Sequence, residues 1–401
     1  CPITVIPSLI TTLFTLSSLH GAGSDRLASG IALTSYVGIV LVLLNGFQMT
    51  LTLPGIAGII LSIGMAVDAN VIIFSRIKEE IISGKSVRAA VESGSKRAIG
   101  TVLDSQITTI IAAIVLYQIG TSTVRGFALT LMIGIVTSIF TAVFVTQIYV
   151  KLLAGSRKFG TNKYFGVRED GTAKFSIKKE FDFIKYKKFY YLLAAVIIVA
   201  GLVVSAVSGM NYGIDFTGGT MIQLDFGEKV EEDAVYDVLK DYGIDDAEVI
   251  FASENNSEVI IRSMQALDNV ERGELIEKLE SEIGAAEVLS SELFGPSVGK
   301  ELRENAVKAV IIAAACMLVY IIFRFEWKFG VASIVGVAHD VLMVIAFYAI
   351  FRVTVNNPFI AGILTVVGYS INDTIVVFDR IRENLGMMKK SDIDGVVNKS
   401  V

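Results

Sequence analysis

Residues 189–208, FYYLLAAVIIVAGLVVSAVS, run for twenty positions without a charge. At 1.5 Å per helical residue such a run measures about 30 Å, the hydrocarbon thickness of a bilayer. Eight further apolar segments lie near 3–19, 29–49, 54–74, 98–118, 127–150, 304–323, 331–351 and 358–378. The first is the weakest, being short, rich in Thr and Ser, and carrying Pro7. A single water-soluble core is excluded: 53% of the residues are hydrophobic, only 19% are charged, and the charges fall in blocks between the runs. In lipid a backbone must satisfy its own hydrogen bonds, so spanning helices are expected.

The charged blocks set an orientation. Residues 151–188 hold eleven Lys and Arg against four Asp and Glu, and the loop 76–97 is also rich in basic residues. By the bias of Lys and Arg toward the inside, both are expected in the cytoplasm. Residues 209–299 reverse the balance, with twenty-one acidic and five basic residues, and one span separates them from the basic stretch. An exported acidic domain follows.

That domain is expected to be small and α+β. MIQLDF (221–226) has strand character, and EEDAVYDVLKDYG (231–243) begins acidic and ends on Gly, as helices do. AEVIFAS and EVIIRS flank the turn-forming ENNS as a hairpin. A second helix, NVERGELIEKLESEIGA, and a last strand, AEVLSSEL, complete a β-α-β-β-α-β order of ferredoxin-like type. The expected divisions are a bundle over 1–150, a basic linker over 151–188, a span over 189–208, the acidic domain over 209–299, and a second bundle over 300–401.

The two bundles are related by a repeat. PGIAGIILSIGMAVDANVIIFSRIKEE (54–80) aligns without gaps to PFIAGILTVVGYSINDTIVVFDRIREN (358–384), with ten of 27 positions identical and an offset of 304. Both copies run in the same direction. Asp68 falls opposite Asn372, and Asp373 follows one residue later. Parallel repeats with polar groups near the midplane characterise transporters.

A carboxylate at a helix centre costs about 2.5–3.5 kcal/mol on insertion scales. Asp68 and Asp373 therefore have either a task, as an ion or proton relay, or a structural polar partner. Asp340 and Asp104 are further relay candidates, with Asn70, Asn372, Gln106 and Thr108 as supporting polar groups. His339 adjoins Asp340, but a metal-dependent site would need more histidines, and only His20 remains. DFTGGT (215–220) lacks the Lys needed to cradle phosphate. Asp215, Gly218 and Gly219 there read as a turn into the exported domain. Arg76 and Arg380 end the paired spans, with Glu79 and Glu383 at i,i+3 pairing distance. Cys1 and Cys316 form no metal or redox motif. No organic cofactor or metal is expected. The opening CPITV and the close VNKSV read as an incomplete chain.

Taken together, the 54–80 segment, GIDFTGGT (213–220), AHDVL (338–342) and VVGYSINDTIVVFDRIREN (366–384) resemble the bacterial SecD and SecF protein-export membrane proteins. The match is to a fused SecDF chain, SecD part first, over roughly 25–401, with RAIGTVLDSQITTIIAAIV (97–115) continuing the SecD-like pattern. The resemblance implies a membrane all-α bundle of parallel pseudo-repeats with RND-like transporter architecture. It implies an auxiliary of the Sec machinery, not an enzyme, in the bacterial inner (plasma) membrane, driven by H⁺ or Na⁺. The implied partners are the translocon channel of SecY, SecE and SecG with its associated export proteins, the translocating unfolded polypeptide and membrane lipids, and no nucleic acid. In the family the span after the loop at 381–401 supplies polar and basic partners to the acids, so the basic partner is expected beyond residue 401. An RND-type efflux exporter of small solutes and a non-transporting scaffold are the competing readings.

Overall fold

The computed structural model describes residues 24–49, 53–120, 122–168, 172, 182–245, 247–253, 255–387 and 392–400. The apolar run 3–19 and His20 lie outside the described residues, as does most of 169–181. Among the described residues, eight helices are long and apolar enough to cross a membrane. The chain divides into two compact units. One gathers the described residues up to 195 with 311–342 and those from 361 onward, and the other gathers 196–310 with 343–360.

In chain order the elements begin with α1 (Ser24–Gly46), α2 (Leu53–Ile82), α3 (Val87–Ile119) and α4 (Ser122–Phe140). A π-helical turn, Thr141–Thr146, joins α4 to α5 (Gln147–Gly155). After α6 (Lys187–Ser208) come the short α7 (Ile214–Thr217), β1 (Gly219–Asp225), α8 (Glu232–Asp241), β2 (Glu248–Ala252), β3 (Glu258–Ser263), α9 (Asn269–Glu282) and β4 (Glu287–Phe294). Then follow α10 (Pro296–Arg324), α11 (Trp327–Ile350), α12 (Asn357–Met387) and α13 (Ile393–Ser400).

In the first unit α2 is the organising helix. Ala69, Ile73, Ile77 and Ile81 recur every fourth residue and are all buried, forming one ridge along the helix. Val87, Ala90, Val91 and Ala98 of α3 share that core. A side chain cannot intervene between the two helices at Gly94, where a Cβ would lie 2.7 Å from the Cα of Ile77. Small residues at such crossings bring helix backbones together where lipid supplies no hydrophobic drive. The segment 76–97, read from its charge as a loop, is mostly helical. Helix α2 continues to Ile82 and α3 starts at Val87, leaving 83–86 as the connection, with Gly84 at φ +93° closing α2. The reason is packing: the α2–α3 core extends well past the apolar stretch, so both helices do too.

In the second unit the strands form one antiparallel sheet in the order β2-β3-β1-β4. Ile222 and Leu224 of β1 alternate with less buried residues and meet Val259 and Ile261 of β3. Val235, Val238 and Leu239 of α8 and Leu275 and Leu279 of α9 close the same core. Helix α9 begins with a capping box: Asp268 accepts from the backbone N–H of Glu271 at 2.9 Å, and the Glu271 carboxylate accepts from that of Asp268 at 2.7 Å.

Candidate functional site

Asp68 lies on α2 and Asp373 on α12, in the two segments related by the sequence repeat. The fold brings them together. The charge of Asp373 acts on Asp68, and that of Asp340, on α11, acts on Asp373. Tyr369, one turn before Asp373 on α12, lies within electrostatic reach of both Asp68 and Asp373. Among the described residues no cation pairs with Asp68 or Asp373 and no donor hydrogen-bonds to them. Asp68 is half-buried and Asp373 exposed.

Asp104 is placed differently. It is buried near the middle of α3 and accepts from the Tyr320 hydroxyl at 2.9 Å and from Arg324 Nε at 2.8 and 2.7 Å, both on α10. A buried carboxylate with a cation and a hydroxyl on it is an anchored charge, whereas the Asp68 and Asp373 carboxylates have no such partner among the described residues. The supporting groups also separate. Asn70 Oδ1 accepts from the Thr146 hydroxyl at 2.7 Å. The π-helical turn ends at Thr146 and so sets which side chain meets α2. Thr108 returns its hydroxyl to the Ser105 carbonyl at 2.7 Å. Gln106 and Asn372 are buried with Oε1 and Oδ1 unpaired among the described residues. His339 Nδ1 and Asp340 Oδ1 lie 2.8 Å apart, so these neighbours bond each other along the helix surface.

At the C-terminal ends of α2 and α12 the repeat produces reciprocal ion pairs. Arg76 binds Glu383 at 2.7 Å, and Arg380, its counterpart 304 positions on, binds Glu79, the counterpart of Glu383. Each arginine also holds its own helix's glutamate, at 3.3 and 3.2 Å. Arg97 of α3 joins Glu80 to Glu383, both at 2.7 Å, and Thr101 donates to Asp379 at 2.9 Å. The i,i+3 pairs were legible in the sequence; the pairs across helices were not. A cavity of about 560 Å³ opens beside Arg97, Arg380 and Glu383.

In the second unit Asp215 Oδ2 accepts the backbone N–H of Asn357 at 2.8 Å, at the start of α12. Gly218 and Gly219 take φ of +85° and +146°, and a Cβ on Gly219 would collide with the Ser263 carbonyl of β3. The turn therefore serves the geometry of β1 and the start of α12. Among the described residues no cluster of His, Cys, Asp and Glu could hold a metal.

Comparison with known proteins follows the same lines. The family described as "Protein export membrane protein SecD/SecF, C-terminal" matches residues 8–155 and 275–401, and the SecD/SecF GG motif matches 203–230. The protein translocase subunit SecDF of Bacillus subtilis is 37% identical over 385 residues, covering 92% of this chain and 52% of its own. The crystal structure of SecDF from Thermus thermophilus, described as a translocon-associated membrane protein, superposes with a TM-score of 0.83 at 36% identity, covering 99% of this chain and 53% of that one. The hedgehog release protein Disp of the water bear Hypsibius dujardini shares the fold at 10% identity, with a TM-score of 0.55 over 98% of this chain and 64% of its own. The chain spans about half the length of the curated SecDF relatives it matches.

Proposed function

This chain belongs to the SecD/SecF family of protein-export membrane proteins, and we propose that it works as an ion-driven auxiliary of Sec-dependent protein export. The observation that carries the reading is the meeting of Asp68 and Asp373. Two acids from related segments lie within electrostatic reach of each other, and among the described residues neither has a cation or donor on it, an arrangement costly in lipid unless the groups exchange ions. Asp340 extends the cluster, and Asp104 is a separate charge fixed by Arg324 and Tyr320. Like acids close together do not readily ionise at once, which suits a site that takes up and releases a cation.

The acidic domain, on this reading, lies on the export side and 151–188 in the cytoplasm. Its β-α-β-β-α-β order and antiparallel sheet support a ferredoxin-like assignment. The reciprocal pairs of Arg76 and Arg380 support the two bundles being parallel pseudo-repeats. Movement of the bundles would be transmitted to the exported domain, which helps draw or release the emerging polypeptide in the late steps of translocation. The Sec channel of the inner membrane is the partner, H⁺ or Na⁺ the coupling ion, and no cofactor is needed. Asp68→Asn and Asp373→Asn in the full-length protein test this, scoring secretion of a presecretory substrate and ion flux in vesicles. Both are expected to lose export and flux. Retention of both activities in both variants would sink the relay.

A further inference from the structure

Asp68 and Asp373 stand on different helices, so an ion or proton passing between them needs a carrier in the gap. The contact at Gly64 identifies one. A Cβ built on Gly64 would lie 2.6 Å from the Tyr369 hydroxyl oxygen but 3.9 Å from its Cζ, so the phenol meets α2 end-on, hydroxyl first. Gly64 is four residues before Asp68, and Tyr369 is four residues before Asp373. Side chains on a helix lean over the turn N-terminal to their own Cα. Asp68 thus leans toward Gly64, where the hydroxyl sits, and Asp373 leans toward Tyr369 itself. The hydroxyl has no hydrogen-bond partner among the described residues, while both carboxylates act on it electrostatically. The groups facing it are Asp68 from α2 and Asp373 from its own helix, with Asp340 of α11 acting on Asp373. The repeat gives this tyrosine no twin, because the position 304 residues earlier is Met65.

We propose that the Tyr369 hydroxyl is the proton bridge between Asp68 and Asp373, an inference that rests on the relay reading above. In the transfer, protonated Asp68 gives its proton to the phenol oxygen as the phenol O–H proton passes to the Asp373 carboxylate. Asp68 ends ionised, Asp373 ends protonated, and the phenol stays neutral. The two transfers are concerted, because an ordinary phenol ionises about six pH units above an ordinary Asp and a free phenolate would be a high barrier. Rotation of the C–O bond resets the bridge. The coupling ion is then H⁺, since a phenol cannot hand on Na⁺.

The test uses Tyr369→Phe in the full-length protein, reconstituted in vesicles, with proton flux followed in H₂O and in D₂O. Phenylalanine keeps the ring and the packing, and thermal unfolding checks that the fold is unchanged. Flux is expected to fall about 100-fold, the scale of a lost general acid–base group, and the solvent isotope effect of the wild type to disappear. Gly64→Ala, which displaces the hydroxyl without removing it, should lower flux partially. Wild-type flux and isotope effect in Tyr369→Phe, with Asp68→Asn and Asp373→Asn silent, would overturn the bridge while leaving the relay intact. Full flux in the two Asn variants would overturn the relay and the bridge together, and a flux carried by Na⁺ and indifferent to Tyr369→Phe would overturn the bridge.

Discussion

Removing the Arg76–Glu383 pair should separate the ends of α2 and α12 by a measurable free energy. The ions are 2.7 Å apart, with side chains 12% and 20% exposed. At that distance and an effective dielectric constant of about 20, the direct attraction is roughly 6 kcal/mol. Lost hydration offsets most of it, and the net coupling should fall between that of an exposed pair and a buried one, at about 1–2 kcal/mol. The measurement is a double-mutant cycle with Arg76→Gln and Glu383→Gln, read by reversible SDS unfolding in mixed micelles. The reciprocal pair, Arg380 with Glu79, is 32% and 39% exposed. Solvent screening reduces its coupling to about 0.5 kcal/mol. Added salt should weaken this second pair more than the first. A coupling for Arg76–Glu383 below about 0.3 kcal/mol, or a larger one for Arg380–Glu79, would refute the reasoning, because burial would then not govern the strength of the contact.

Three further outcomes follow from local geometry. Arg324→Gln leaves Asp104 buried with only Tyr320 on it, and should cost about 3 kcal/mol in the same unfolding assay; a change under about 0.5 kcal/mol would mean that the pair is solvated. Gly94→Ala drives a methyl group into the backbone of Ile77, and should cost about 1–3 kcal/mol in thermal stability. Asp182 accepts the backbone N–H of Lys185 at 3.0 Å and the Asn398 amide of α13 at 2.7 Å. These bonds, the Lys185 amide first, hold its carboxyl below the usual range. A depressed carboxylate stabilises above its unfolded pKa of about 3.9, and that stability is lost as pH falls through the folded value. A spin label at Lys399→Cys should therefore loosen only below about pH 4, and a transition near neutrality would contradict the assignment.

Much of the candidate site was readable before the structure. The repeat made Asp68 and Asp373 a pair and set Arg76 and Arg380 at the matching ends of their spans. The Asp104–Arg324 bond was not legible, because 220 residues separate the two and nothing local names a partner. The loop reading of 76–97 failed because it relied on charge, while the extent of a helix follows its packing. Asn70, grouped with the acid by adjacency, bonds Thr146 instead. Two residues further along a helix is about 200° around its axis, so Asp68 and Asn70 serve different faces.

What the amino-acid order determined alone is whatever depends on period, length and composition. The apolar runs, the acidic domain's β-α-β-β-α-β order, the 304-residue repeat and the paired acids are all of that kind, because each is a property of neighbouring residues or of two aligned stretches. Only the tertiary structure decided which acid is paired with a cation. It set Arg324 and Tyr320 on Asp104, crossed Arg76 with Glu383, and laid the Tyr369 hydroxyl against Gly64. Those contacts depend on distance and direction between helices, which side-chain volume at positions such as Gly64 and Gly94 controls, and no periodicity in a chain encodes the distance between two of its helices.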